Sequence, residues 1–171
     1  MRKVMTGLMF GAAIAALSIG PAGAAESSDT SSTVPAGIVH FTSPSHNIDC
    51  FLSSNKDFGK FADCHVKEDN WASHKARPAD CRNLDWIPSE AFVSNKGHVR
   101  IGSCRGDIGP DCEKIVTGPV HDLGDCKVLK YGQSVREGNI RCRSTTSGIT
   151  CRSVKGSHPG FRVSREKLRL F

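Results

Sequence analysis

A pattern of apolar and polar positions that occurs three times dominates the chain. An isoleucine, any residue and a cysteine follow a turn-forming Asn or Gly at 47–50, 139–142 and 148–151. Because residues two apart share a face of an extended strand, each copy turns its Ile and Cys inward and the polar residue between them outward. The pattern predicts three short strands that begin at a turn and end at a cysteine.

Other apolar positions alternate with polar ones between Gly, Asn and Pro turns. This alternation is typical of short strands. The strands predicted in this way are 38–41, 91–93, 98–101, 128–135 and 160–164. The last residues, 168–171, form either an edge strand or a docked turn.

Two pairs of segments are predicted to form hairpins. Residues 139–142 and 148–151 face each other if the turn centres on Thr146 and Ser147, with Gly148 at a positive φ. Segment 50–64 reads as a hairpin with a broad tip. A short-range antiparallel sheet structure follows from both.

Residues 67–90 carry both tryptophans, Trp71 and Trp86, and two prolines, Pro78 and Pro88, that block a long helix. We expect an irregular loop that its tryptophans hold against the core. The functional alternative is an exposed Trp pair that forms a carbohydrate platform, but Trp in small domains is mostly core.

The predicted fold class is all-β: a small disulfide-stapled antiparallel sandwich or open barrel with long loops and little helix. Eight Phe, two Trp and one Tyr in 171 residues allow only a modest core. The length suits one domain, 38–171, preceded by a flexible leader, 25–37, that has nothing to bury.

The N-terminus has the three parts of an export signal. Arg2 and Lys3 precede an apolar run at 8–19, and small residues follow at 21–24. We therefore expect residues 1–24 to be cleaved and the protein to be secreted or periplasmic. A retained anchor is the alternative, but the run is shorter than the roughly 20 residues that span a bilayer. No later segment is apolar enough to span.

All eight cysteines follow the expected signal. An even number in an exported chain indicates disulfides. Zinc is the alternative, but no two cysteines have the spacing of two to four residues that is usual for structural zinc sites. The connectivity is open, since eight cysteines allow 105 pairings. The cysteines are Cys50, Cys64, Cys81, Cys104, Cys112, Cys126, Cys142 and Cys151.

No constellation of reactive residues stands out. The chain lacks a nucleophile elbow, a phosphate-binding Gly-rich loop and a zinc-protease helix motif, and its seven histidines are scattered singly. We expect no catalytic residue, no metal, no cofactor and no enzymatic activity. A hydrolase remains as an alternative, because folding could bring together two of the carboxylates Asp49, Asp57, Asp63, Asp107 and Asp111.

An Arg-Gly-Asp tripeptide at 105–107 invites an integrin-binding interpretation. Gly-Asp and the nearby Gly-Pro are ordinary turn chemistry, and a match of three residues occurs often by chance. We interpret the tripeptide as a turn.

The net charge of +6 is unevenly distributed. Residues 25–125 carry 10 Lys or Arg and 15 Asp or Glu, whereas residues 126–171 carry 11 and 2. The basic last third indicates a surface for an anionic envelope polymer or lipid head groups rather than for specific nucleic acid. The candidate anion-binding residues are Arg141, Arg143, Arg152, Lys155, Arg162, Arg165, Lys167 and Arg169.

Two alternatives to anion binding are open. Basic residues on edge strands deter association between sheets, and the acidic part of the chain could fold against the basic part. The protein could also be a secreted inhibitor or effector that inserts a stapled loop, 104–112 or 145–148, into a partner's cleft.

Several short segments of the sequence occur together in a known family. They are 41–50, Trp71, Cys81, Trp86, 104–107, 129–132, 138–142, 148–151 and 160–165. In this order and spacing they resemble the secreted bacterial proteins, largely from actinobacteria, grouped as domain of unknown function 6636. The similarity covers nearly all of residues 40–171. It implies an exported disulfide-containing domain with no established activity and no catalytic residues.

The resemblance also implies a disulfide pairing and shows departures. His46 stands where the family usually has Gly, Ile87 follows the second Trp where Gly is common, and 157–160 lengthens a turn. The six-cysteine pattern of the family leaves Cys112 and Cys126 as an added pair. The implied bridges are Cys50–Cys64, Cys81–Cys104, Cys142–Cys151 and Cys112–Cys126.

Overall fold

A computed structural model describes residues 36–105, 111–112 and 126–171. The expected signal, 1–24, and most of the expected leader, 25–37, lie outside the described residues. Nearly all of the regular secondary structure in the described part is β-strand.

The first sheet has six strands in the order β5-β4-β3-β2-β1-β6. Neighbouring strands are antiparallel except β1 and β6, which are parallel. The strands are β1 Ile38–Thr42, β2 Ile48–Ser53, β3 Phe61–Val66, β4 Asp85–Ser94, β5 Val99–Arg105 and β6 Lys127–Val128.

The second sheet is a meander of five antiparallel strands in the order β11-β10-β9-β8-β7. Each strand pairs with the next along the chain, as short turns allow. The strands are β7 Ser134–Glu137, β8 Ile140–Thr145, β9 Gly148–Ser153, β10 Gly160–Val163 and β11 Leu168–Leu170.

The two sheets pack face to face around one core to which both contribute apolar side chains. The sheets are not closed on each other, so the predicted all-β fold is confirmed in its sandwich form. Two short 3-10 turns, Ala72–His74 and Ala79–Cys81, are the helical elements of the described residues outside the 111–112 fragment. No helix in the described ranges is long and apolar enough to cross a membrane.

The three Ile-any-Cys segments lie in β2, β8 and β9 and face the core, where each Ile and Cys is at most 4% exposed. Cys50 lies opposite Cys64 in β3, and Cys142 lies opposite Cys151 across the predicted turn. Both pairs form disulfides. The Sγ atoms of Cys64 and Cys151 are 3.8 Å apart, so the two disulfides touch across the sandwich.

The other two disulfides hold loops to the first sheet. Cys81 in the second 3-10 turn bonds Cys104 in β5, and Cys112 bonds Cys126 just before β6. The structure thus contains the four bridges that the family resemblance implies.

One outward-facing residue of β2, Asp49, is not exposed to solvent. It points away from the core of the sandwich, as the alternation predicts, yet its side chain is fully buried. The backbone N–H of Cys112 donates to Asp49 Oδ2 at 2.9 Å, and Lys67 Nζ lies 3.1 Å from the same oxygen. The contact with Cys112, 63 residues away in sequence, is one that the local alternation cannot predict.

The expected loop at 67–90 ends earlier than predicted, because β4 begins at Asp85. The strand passes through Pro88, where the register with β5 shifts between Ile87 and Ala91. Such a bulge leaves a residue without a ladder hydrogen bond, and proline has no N–H to donate. A proline in the middle of a strand is therefore accommodated here.

The predicted strand at 128–135 is two strands in different sheets. β6 pairs with β1 in the first sheet, and β7 pairs with β8 in the second. Residues 129–133 connect them, and Leu129 remains buried in the core on the way. An alternating pattern shows that a segment is extended but does not show which sheet it joins.

The two tryptophans do not form an exposed pair. Trp71 is buried, and its Nε1–H donates to the backbone oxygen of Ser164 at 3.0 Å. The ring of Trp86 lies over Gly102, where an added Cβ would be 2.0 Å from a ring carbon. Trp71 thus belongs to the core, as expected, and the carbohydrate platform is not supported.

Candidate anion-binding surface

Six arginines cover the outer face of the second sheet. Strand alternation places their side chains opposite to the inward-facing Ile, Cys, Phe and Val residues. We call this surface the arginine face. Its arginines are Arg136, Arg141, Arg143, Arg152, Arg162 and Arg169.

Register aligns one row of the arginine face across all five strands. Ser134 is opposite Arg143, which is opposite Thr150. Thr150 is opposite Arg162, which is opposite Arg169 at the edge. With strands about 4.8 Å apart, three guanidinium groups and two hydroxyl groups lie along one line.

A second row runs beside the first. Arg136, Arg141 and Arg152 are direct neighbours on three consecutive strands. The next position is Gly160, whose missing side chain leaves the backbone of β10 next to Arg152. Three like charges therefore stand side by side.

No arginine of this face forms an ion pair with any residue that the structure describes. Like charges directly opposite each other in a sheet lower its stability, by up to about 1 kcal/mol per pair. Arg136 with Arg141, Arg141 with Arg152, and Arg162 with Arg169 are three such pairs. The arrangement does not serve the stability of the sheet.

The guanidinium groups are available to a ligand. Arg162 Nε donates to Thr150 Oγ1 at 3.1 Å, and Arg136 Nε donates to the backbone oxygen of Gly138 at 2.9 Å. Both residues keep terminal nitrogens for other acceptors. Two grooves, of about 260 and about 310 Å³, meet at Thr150 and Arg162. The planar guanidinium group binds phosphate, sulfate and carboxylate groups through two parallel hydrogen bonds.

The other three candidate residues lie in turns. Lys155 is in the β9–β10 turn, and Arg165 and Lys167 are in the β10–β11 turn, all exposed. Arg165 lies 3.4 Å from Glu68. The structure thus brings five of the eight candidates together on the arginine face. It adds Arg136, which the alternation of Ser134, Val135 and Arg136 could have revealed.

A polar cleft of about 470 Å³ lies where turns from both sheets meet at one end of the sandwich. Its walls come from the β1–β2, β8–β9 and β10–β11 turns, the residues after β3, and the connection before β7. The principal polar side chains are Ser45, His46, Lys67, Glu68, Tyr131, Thr145, Thr146, Arg165 and Glu166.

Two of the five carboxylates considered for acid-base chemistry lie on the same face of the first sheet. Asp49 and Asp63 lie on the same outer face of β2 and β3, where Glu90 of β4 joins them, and all three are at most 3% exposed. The hydroxyl of Ser103 donates to Glu90. Asp57 is exposed in the β2–β3 turn.

The remaining carboxylates considered are Asp107 and Asp111. Asp111 precedes Cys112, the residue that binds Asp49, and Asp107 lies outside the described residues. Asp49 is held by the Cys112 N–H and by Lys67, and Glu90 accepts from Ser103. Within the described ranges, no three His, Cys, Asp or Glu side chains are placed to hold a metal ion.

The two loops considered for insertion into a partner lie in different parts of the fold. Segment 104–112 is anchored at both ends by different disulfides, and its residues 106–110, including most of the Arg-Gly-Asp tripeptide, lie outside the described residues. Turn 145–148 forms one wall of the polar cleft. It borders a concavity that could itself receive a ligand.

Comparison with known proteins gives one match. A family model described as "Family of unknown function (DUF6636)" matches residues 17–171. No curated protein and no solved structure matches the chain significantly.

Proposed function

We propose that this chain, which belongs to the DUF6636 family, is an exported, non-enzymatic protein that binds an anionic component of the cell envelope through its arginine face. The ligand classes are an anionic polymer and anionic lipid head groups. Four disulfides support an oxidising compartment outside the cytoplasm.

The observation that carries the proposal is the alignment of arginines without described counter-charges. Among the side chains of residues 126–171, only those of Glu137 and Glu166 are carboxylates. Glu137 accepts a hydrogen bond from Ser54 at 2.7 Å, and Glu166 accepts one from Ser164 at 3.0 Å. Neither carboxylate pairs with an arginine of the face. The positive potential of the arginine face is therefore available to attract an anionic ligand.

Protection of sheet edges does not account for this surface. The edge strands are β7 and β11, and each carries one arginine of the face. The other four, Arg141, Arg143, Arg152 and Arg162, lie on the three inner strands. Inner strands have no free backbone groups to protect.

Replacing Arg141 and Arg152 together by Gln should weaken binding to a polyphosphate chain by roughly thirtyfold at low salt. Each cation in contact with an anionic surface contributes about 1 kcal/mol, and two are removed. Fluorescence anisotropy with labelled polyphosphate measures the affinity. For the unchanged protein, affinity should also fall steeply between about 50 and 200 mM salt.

The matched control is Lys56→Gln with Lys75→Gln, two exposed lysines of the first sheet's loops. It removes the same charge from the protein but leaves the arginine face intact, so binding should stay within about twofold of the unchanged protein. Equal weakening in both double variants would show that net charge alone attracts the polymer, and the proposed site would be wrong.

A further inference from the structure

The polar cleft is continuous with the arginine face. β8 carries Arg141, Arg143 and Thr145 on the same side, and Thr145 lines both the cleft and one groove of the face. At about 3.4 Å per residue, Arg141 lies roughly 14 Å from Thr145 along the strand. A chain-like ligand lying along β8 would pass from the arginines into the cleft.

The charges in the cleft are balanced, in contrast to those of the face. Lys67 and Arg165 are its cationic side chains, and Glu68 and Glu166 are its anionic ones. Lys67 contacts the buried Asp49 at 3.1 Å, and Arg165 contacts Glu68 at 3.4 Å. The part of a ligand that enters the cleft is therefore not required to be charged.

The cleft offers an aromatic ring beside hydroxyl groups. Tyr131 is half exposed, and the hydroxyl groups of Ser45 and Thr146 stand at exposed positions. A tyrosine at such a place presents an apolar ring face with a polar tip. A sugar ring matches this combination, because its C–H face is apolar while its rim carries hydroxyl groups.

His46 gives the cleft a polar group at a conformational cost. Its φ of 56° lies in the left-handed region, which a non-glycine residue adopts at a cost of about 1 kcal/mol or more. Strained residues of this kind concentrate at binding sites. The imidazole adds hydrogen-bonding capacity that a glycine at this turn would not supply.

We infer that the cleft is a subsite for an uncharged sugar unit, so that the ligand of the arginine face is an acidic polysaccharide in which charged and neutral sugars alternate. This inference rests on the proposed function of the face. The arginines bind the acidic groups, and the cleft binds a neutral ring. Its volume of about 470 Å³ is within the range of small-ligand sites.

The test uses two probes of matched charge on the full disulfide-bonded protein. A hyaluronan oligosaccharide alternates a uronate with a neutral amino sugar, whereas polyphosphate has no sugar. Tyr131 is the one tyrosine of the chain, so its ring protons give a distinct NMR signal. Both probes should bind, but only the oligosaccharide should shift the Tyr131 signal.

Replacing Tyr131 by Ala should weaken oligosaccharide binding by roughly five- to tenfold and leave polyphosphate binding unchanged. Phe58→Ala, at an aromatic residue with a similar exposed fraction of 52% in the β2–β3 turn, should change neither. Arg141→Gln with Arg152→Gln should weaken both probes.

The possible failures are distinct. If both probes bind but the Tyr131 signal stays fixed, or Tyr131→Ala affects both equally, the sugar subsite is wrong and the arginine face stands. If polyphosphate alone binds, the sugar subsite is likewise wrong and the arginine face stands. If neither probe binds, the proposed function itself is wrong.

Discussion

Replacing Gly148 by alanine should lower the free energy of unfolding by roughly 3–5 kcal/mol. Gly148 has a φ of 113°, which side-chain-bearing residues rarely adopt. An added Cβ would also stand 2.1 Å from the backbone oxygen of Val163 in the neighbouring strand β10. Relief of that clash would require β9 and β10 to separate. Denaturant unfolding with the disulfides intact measures the loss.

Gly132→Ala separates the two causes. Gly132 also has a positive φ, 86°, but an added Cβ would meet nothing within 4 Å. This variant should lose only the stability that a positive φ costs an alanine, about 1–2 kcal/mol. Equal losses of unfolding free energy in the two variants would mean that the clash with β10 adds nothing to the cost of an alanine at position 148.

The second large effect is a loss of stability on acidification that depends on His40. Burial lowers the pKa of His40 from 6.5 to about 4, because the charged imidazolium would lose its hydration. The ring is 4% exposed and lies edge-on to Phe51, with 4.5 Å between ring centres. Neither ring nitrogen has a hydrogen-bond partner within the described structure.

The direction follows from where the proton binds. Above pH 6.5 the imidazole is neutral in both states. Between pH 6.5 and 4 the unfolded chain takes up the proton and the folded protein does not, so stability falls as the pH falls. Below pH 4 both states are protonated and the loss is complete, at about 3 kcal/mol from this residue.

The variant His40→Leu should lack this contribution. Its unfolding free energy should fall between pH 7 and 4 by about 3 kcal/mol less than that of the unchanged protein. Phe51→Leu alters the same contact without removing a titrating group, so its stability curve should shift by a constant amount. If His40→Leu and the unchanged protein have parallel pH curves, the burial of His40 does not disfavour its protonation.

The strand pattern was predictable because it is local. Alternation alone placed the Ile and Cys residues of β2, β8 and β9 in the core, and the turn at Thr146 and Ser147 followed from Gly148. Burial of Asp49 was not predictable, because the Cys112 N–H that binds it comes 63 residues later. The division of 128–135 between the two sheets was not predictable either, because the sequence shows only that both halves are extended.

The candidate site was predictable in part for the same reason. The charge count and alternation indicated outward arginines in the last third, but the rows depend on register, which pairs Arg141 with Arg152 and Arg162 with Arg169. The polar cleft gave no sequence signal, because its walls come from turns far apart in the chain. Tyr131 becomes a candidate only when those turns meet.

The contact between the two central disulfides bears on how the protein acquires them. Cys64 and Cys151 are 87 residues apart, yet once the sheets have docked their sulfurs are 3.8 Å from each other. A thiolate on one hairpin would then be in position to attack the bridge of the other and form a bond between the sheets.

Before the two sheets dock, the short loops favour the native bridge within each hairpin over a bridge between the sheets. The Cys50–Cys64 and Cys142–Cys151 bridges join residues only 14 and 9 positions apart, so each closes at a lower entropic cost than a link over 87 residues. After docking these four cysteines are fully buried, beyond the reach of external thiols that could correct an error. Oxidation of each hairpin before the sandwich closes is therefore the productive order of maturation.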